Sequence, residues 1–490
     1  MAYRIDGRLP RLVYAQASPH SRGGTSLFDA GTITAANARD FQSEDSVLQE
    51  AERGLIDAGF TVLSRARATL NIAAPPEVYE RYFETTLVTI EREVIEPGAV
   101  DLRRTRTFLD TAKADLPGFI STRGLPAGVF LEGVALEQPA TTLRGVGPVP
   151  KLSYWHLTTD MVAEYLGARA VHERGITGRG VRLTMVDTGW EEHPYFTDRG
   201  QRGTVIAGPG TFDPEIDEDG HGTSESANAF AVAPGIDFTM VKSLDVNLLG
   251  SFTTAALQEP RPQIISMSLE YHRKTLPLSA IDQVLSVAVS LAVADGIVVV
   301  CAGGNGHYAF PAQHPDVIAV GGVHRTKGGE LRASDYASAF TSALYPHRSV
   351  PDVCGLVGMR PGGTYILLPT PRGSTVDQEL ARDPYPIGDD TTPGDGWAVL
   401  SGTSASAPQV AGVCALLLEA ADSVLSPSEV RRLLAESALP VDRGRSNRDT
   451  GGLSAHEGAT GAGLVRADEA VRLLLSQQGG QGSQPVVRPT

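Results

Sequence analysis

The sequence predicts a doubly wound, mostly parallel α/β sheet over residues 151–473, preceded by a small α+β domain over residues 1–150. Three observations predict it. Beyond residue 150 the runs "GVRLTMVDTG", "IDFTMVKSL", "PQIISMSLE", "GIVVVCAGGN" and "PDVIAVGGV" are short, apolar and β-branched. Near-continuous apolar strands joined by crossovers describe a parallel sheet covered on both faces. Several of the runs end at Gly, Asp, Asn or Ser, and chemistry in such sheets gathers beyond the carboxyl ends of the strands. Before residue 140 the rhythm differs, with helical and strand patterns alternating over short spans.

The N-terminal unit reads in order. An opening strand "RLVYAQA" precedes the helical pattern "SVLQEAERGLIDAGF", which begins at Asp45. Two β-like runs, "TVLSR" and "ATLNIAA", lead to a second helix in "PPEVYERYFETTL", with Pro at its first turn. A charged stretch follows, and "GVFLEGVALE" (128–137) reads as the last strand. This order suggests an α+β sandwich of the split βαβ, ferredoxin-like kind. Residues 138–153, "QPATTLRGVGPVPKLS", read as an exposed linker, and residues 474–490 as a disordered C-terminal tail.

Totals exclude several functions. Against 57 Asp and Glu stand only 42 Lys and Arg, a net charge of −15 without a basic run, so no nucleic-acid partner is expected. The stretch 284–304 imitates a membrane span, but Asp295-Gly296 splits it into a helix-length piece and "IVVVCA", each too short to cross. No membrane association is expected. The N-terminus has Arg, Asp and Pro where a signal peptide needs an apolar core, which predicts a cytoplasmic chain, with secretion by another route left open. Cys301, Cys354 and Cys414 sit among apolar neighbours without CxxC spacing, so they read as buried hydrophobes and no metal site is expected.

Four strand ends and helix starts supply a chemical set. Asp187 ends "LTMVD", His221 lies in "DGHGT" at the start of a small-residue helix, and Asn305 follows "VVVCAGG". "SGTSASAPQVAG" (401–412) raises the question of which hydroxyl is a nucleophile at a helix N-terminus. A serine needs a base within hydrogen-bond reach, and His221, oriented by Asp187, would be that base for Ser404. Asn305 and the Ser404 N–H would bind the oxyanion, while Ser401 and Thr403 read as turn and capping hydroxyls. Singly, each motif is an ordinary turn; their coincidence in this order is not.

With these motifs on the page, the chain resembles the subtilisin-like serine proteases (subtilases) over about residues 155–470. "VDTGW", "DGHGT" and "SGTSASAPQVAG" look like the family's Asp, His and Ser motifs, and "AGGNG" with "FPAQHPDVIAVGGV" like its oxyanion segment. The His motif argues against the related sedolisins. The resemblance implies a subtilisin-like sheet and hydrolysis of protein or peptide substrates through a Ser404 acyl-enzyme. It also implies substrate-binding walls from Ser268, Leu269 and Glu270 and, opposite, from Ala302 and Gly303. The N-terminal domain is similar in size and pattern to the family's propeptide, which implies an intramolecular inhibitor freed by cleavage in the linker.

Departures from the family pattern matter as well. Ser224 and Glu225 stand where His-Val is usual, and Tyr195 replaces a calcium-binding Asp. No insertion interrupts the helix after His221, so the usual high-affinity calcium site is expected to be absent and no cofactor is expected, with calcium left open. Ala405 replaces Met beside the nucleophile, and Gln409 replaces His. Glu270 stands where Gly is usual, either charging or narrowing the S1 pocket, or pointing to solvent. Two other readings compete with the endopeptidase: a peptide ligase or macrocyclase using the same acyl-enzyme, and a non-catalytic peptide-binding scaffold.

Overall fold

The computed structural model describes residues 9–96, 102–112, 116–142, 155–359, 364–382 and 391–481. The N-terminal unit runs β1 (Val13–Pro19), α1 (Asp45–Asp57), β2 (Thr61–Arg65), β3 (Leu70–Ala74), α2 (Pro76–Tyr82), β4 (Leu87–Glu96), β5 (Leu102–Thr111), β6 (Phe119–Ile120) and β7 (Leu131–Leu136), then β8 (Thr141–Thr142). Its sheet has the antiparallel order β2-β3-β1-β7-β6. The period of two decides which face each residue serves. Leu70, Ile72 and Ala74 of β3 turn into this unit's own core with Leu48, Ala51 and Leu55 of α1. Asn71 turns the other way, as does Ala135 of β7, onto the second unit, while Gln16 of β1 donates to Glu137.

That second unit opens with β9 (Trp155–Leu157), α3 (Thr159–Tyr165), α4 (Ala168–His172), β10 (Arg182–Asp187), α5 (Pro194–Thr197), β11 (Gly203–Ala207), α6 (His221–Val232) and β12 (Asp237–Lys242). There follow α7 (Leu248–Ala256), β13 (Ile264–Met267), β14 (Leu269–His272), α8 (Ala280–Ala294), β15 (Val298–Ala302), β16 (Ala309–Phe310), β17 (Ile318–Arg325) and β18 (Leu331–Ala333). The chain continues through β19 (Phe340–Thr341), β20 (Ser349–Val350), β21 (Val353–Leu356), β22 (Thr364–Pro369), α9 (Thr375–Arg382) and β23 (Trp397–Leu400). It closes with α10 (Thr403–Ala420), α11 (Pro427–Ser437) and α12 (Ala467–Gln481).

An eight-stranded sheet runs β11-β12-β10-β13-β15-β17-β18, with β21 also paired to β17. All its pairs are parallel except β17 with β18. The chain moves from β10 to one side through β11 and β12, then returns to β13 on the other. That reversal opens a crevice beyond the carboxyl ends of β10 and β13. Helices cover both faces: Leu183 and Met185 of β10 pack with α6 and α10, while Val186 faces α7 and α8. The doubly wound prediction therefore describes this unit.

One element is unmarked in the sequence, and two expectations need correction. The charged stretch after α2 is a hairpin, β4 paired with β5 from Leu87↔Thr111 to Glu96↔Leu102. Its strands mix charged and apolar residues without alternation, so no period-two signal marks them. The linker is not exposed at its start: Gln138 and Ala140 are buried, and Gln138 exchanges hydrogen bonds with the Leu109 backbone. Its remainder from residue 143 lies outside the described residues. The tail begins later than expected, because α12 extends to Gln481 and Leu474 packs in the core; residues 482–490 lie outside the described set. Among the described residues no helix is long and apolar enough to cross a membrane, and the three cysteines are buried thiols.

Candidate active site

Asp187 closes β10 and is fully buried. Its Oδ1 accepts from the Thr188 N–H at 2.8 Å and stands 2.7 Å from His221 Nδ1. An ionised carboxylate can only accept, so Nδ1 is the donor and Nε2 is left as the basic nitrogen. His221 is the first residue of α6, and the turn that delivers it is fixed from three sides. Asp217 Oδ1 accepts from Gly220 N at 2.9 Å, and its Oδ2 accepts from Thr223 N at 2.9 Å. The Thr188 hydroxyl donates to Asp217 at 2.8 Å and accepts from Gly222 N at 2.8 Å, tying the end of β10 to the start of α6. A carboxylate at a helix N-terminus also meets the favourable end of its dipole. Gly220 adopts φ 94°, and a Cβ there would meet Thr370 and Ser374 Oγ atoms at 2.5 Å.

Ser404 is the second residue of α10 and is fully buried. Pro408, four residues on, has no N–H, so the Ser404 carbonyl loses its helical partner. Ser268 Oγ donates to that carbonyl at 3.4 Å instead. Ser404 Oγ makes no hydrogen bond. The preceding turn is held by Ser401, which accepts from Gly358 N at 2.6 Å and bonds the Tyr336 hydroxyl. Thr403 N and Oγ1 both donate to Asn305 Oδ1, at 2.9 and 3.0 Å, so the amide's oxygen is anchored and Nδ2 is its donor end. Ser401 thus serves the turn, but the expected capping hydroxyl is absent: the N-cap of α10 is Gly402 without a side-chain cap, and the Thr403 hydroxyl bonds the Asn305 loop instead.

Ser268 and Leu269 follow β13 at the crevice, with Leu269 and Glu270 on β14; Ala302 ends β15 and Gly303 follows it. A Cβ on Gly303 would lie 2.9 Å from the Val320 carbonyl. Along β14 the chain's own β8 is already paired, antiparallel, with Leu269↔Thr142 and Glu270↔Thr141. Glu270 does not face solvent: it is buried, with Oε1 3.2 Å from His307 Nδ1. Burial raises its pKa and His307 opposes that rise.

Residues with no expected role also serve the site. Asp217 competes in the sequence with Asp219, two residues on, for the capping position, and nothing in one chain distinguishes them. Residues 325–400 had no assigned role, and part of them buttresses the histidine loop: Thr375 and Val376 N–H groups donate to Glu218 and Asp219 carbonyls at 3.0 and 2.9 Å. Gln409 donates to the Leu356 carbonyl at 3.0 Å and accepts from its N–H at 2.8 Å. Tyr195 donates its hydroxyl to Thr159 at 2.8 Å within a buried aromatic group. Among the described residues no group of three His, Cys, Asp or Glu is placed to hold a metal ion.

Comparison with known proteins gives the family of the chain. The profile of the Subtilase family matches residues 178–463, more than half of the chain. The chain belongs to the subtilase family. As a subtilase it is a serine protease, a hydrolase of peptide bonds. Alkaline elastase YaB of Bacillus sp. (strain YaB) is 28% identical over 319 residues, covering 62% of this chain and 68% of the relative. Subtilisin Savinase of Lederbergia lenta is 27% identical over 317 residues, 62% of this chain and 96% of that one. Fervidolysin from Fervidobacterium pennivorans, a keratinolytic enzyme related to subtilisin, superposes with a TM-score of 0.54 at 16% identity. The superposition covers 94% of this subtilase and 61% of fervidolysin, and at that identity it speaks for the fold alone.

Proposed function

We propose that this subtilase is an endopeptidase that cleaves protein or peptide substrates through a Ser404 acyl-enzyme and is made as an auto-inhibited precursor. The observation behind the chemistry is the buried 2.7 Å contact between Asp187 Oδ1 and His221 Nδ1, which fixes the tautomer a general base requires. Ser404 Oγ attacks the scissile carbonyl carbon and its proton passes to His221 Nε2. Asn305 Nδ2 and the Ser404 N–H bind the resulting oxyanion. Collapse breaks the C–N bond, and His221 returns the proton to the leaving amine. Water then attacks the acyl-enzyme, giving its proton to His221, and the carboxylic product leaves with Ser404 reprotonated. Side chains and backbone supply every step, so no cofactor enters.

Support for auto-inhibition comes from the placement of β8. It occupies the edge of β14 that an extended substrate would pair with, by strand addition. The N-terminal strand order, with β1 between β3 and β7, matches a ferredoxin-like split βαβ unit, which favours reading residues 1–150 as a propeptide-type domain. Fluorophosphonate labelling tests both parts, on the full chain and on chain cut within 138–153, with Ser404→Ala as control. Labelling only after cutting is the expected result. Labelling of both forms removes the latch; labelling of neither removes the acyl-enzyme.

A further inference from the structure

Glu225 is an unusual occupant of the catalytic helix. It lies one turn after His221 on α6, where the i,i+4 spacing stacks the two side chains. Its Oε1 stands 3.9 Å from His221 Nε2, the nitrogen opposite the one held by Asp187. Both residues, and Asp187, have no solvent exposure. One imidazole thus sits between two buried carboxylates.

The orientation of Glu225 is built. Asn228 Nδ2 donates to its Oε2 at 2.8 Å, and Gln409 Nε2 donates to Asn228 Oδ1 at 3.1 Å. Gln409 is itself clamped on both polar backbone atoms of Leu356. This chain, running from the nucleophile's helix to α6, secures one carboxylate oxygen and leaves Oε1, which has no hydrogen bond, toward the imidazole. An apolar residue would fill the same space without an ordered amide pair behind it.

We propose that Glu225 is a positioning residue that acts through His221, its carboxyl facing the imidazole across 3.9 Å and so setting the pH at which the base becomes available. The proposal rests on the reading of His221 as the base for Ser404. Deprotonating the pair completely would leave two ionised carboxylates and no cation in a site without water contact, which burial strongly disfavours. The pair therefore keeps one proton to higher pH than His221 and Asp187 alone would. The carboxyl is pushed up to about 7, chiefly by burial, with Asp187 adding to the rise and His221 and Asn228 opposing it. From α6 the ionisable neighbour is His221 and from β10 it is Asp187; α10 presents the neutral Gln409 through Asn228. The acids of the packed helix α3, Asp160 and Glu164, are solvent-exposed.

The test is the pH dependence of kcat/KM for a chromogenic peptide, measured on chain cut within 138–153, for the parent, Glu225→Gln and Glu225→Asp. A single neighbouring charge moves such a titration by about one to three units, so the acid limb of Glu225→Gln should fall to lower pH by that amount. Glu225→Asp should fall partway, and it decides the matter if the Gln variant does not fold. Fluorophosphonate labelling at alkaline pH shows that Ser404 responds in each variant. An acid limb unchanged in a variant that labels overturns the proposal. Failure of the parent itself to label at any pH overturns the Ser404 reading beneath it.

Discussion

Asn71 and Asn247 exchange amide hydrogen bonds across the contact between the two units, Nδ2 to Oδ1 at 2.8 Å in one direction and 3.1 Å in the other. Both side chains are buried, and Asn247 also donates to the Pro209 carbonyl at 2.9 Å. Elsewhere across the contact the Tyr271 hydroxyl donates to Glu137 at 3.0 Å, and Arg39 and Arg67 reach Asp295, which Arg261 of its own unit also pairs. A buried reciprocal amide pair specifies one docking position, because any shift leaves polar atoms unpaired.

Replacing Asn71 by Ala leaves Asn247 Oδ1 buried without its donor. A lost partner of this kind costs about 1–3 kcal/mol, so the N-terminal unit should dissociate roughly tenfold or more readily after the linker is cut. The comparison is made in a Ser404→Ala background, following separation of the two pieces by sedimentation. Equal dissociation would show that Asn71 adds nothing to docking.

Docking should also depend on pH through Glu137. Burial raises this carboxyl to about 7, while Gln16, Tyr271 and the Gly250 N–H pull it down. A carboxyl raised on docking binds its proton more tightly in the docked state. Its contribution is complete below the free value near 4.5 and is lost as pH rises through about 7. The cut Ser404→Ala complex should therefore hold together better at pH about 5 than at about 8, and Glu137→Gln should flatten that difference. The readout is the fraction dissociated against pH.

Asp187→Asn should leave the fold intact and reduce kcat by about 10⁴-fold, because an amide at that position favours the wrong imidazole tautomer. Asn305→Ala should cost about 10²–10³-fold in kcat with little change in KM. Steady-state kinetics on linker-cut chain check both. A KM effect without a kcat effect would make Asn305 a substrate contact only.

Gly220→Ala should damage the site more than the fold. The left-handed backbone costs an L-residue about 1–2 kcal/mol, and the added Cβ displaces the loop that presents His221. Thermal unfolding should shift modestly while labelling of Ser404 falls far more. Parallel losses in the two measurements would reduce Gly220 to a stability position.

Much of this protein was legible in the residues. The apolar runs ending in Asp187, Ala302 and the Ser268 segment defined a parallel sheet, because buried strands need continuous apolar side chains and leave their polar residues at the ends. Asp187, His221, Asn305 and Ser404 stand out as candidates in the residues because nucleophilic chemistry requires those types, at positions where strands stop and helices start. The β4–β5 hairpin was not legible, since strands without alternation carry no periodic signal.

What the sequence determined by itself was the inventory: which side chains could do acyl chemistry, and that two units of different rhythm adjoin. Only the tertiary structure decided the pairings. It set Glu270 against His307, Asn71 against Asn247, and β8 along β14. The reason is physical. A strand's period and a helix's cap act over a few residues and can be read locally, whereas a buried polar atom is satisfied by whatever the fold brings within 3 Å or so, from any distance along the chain.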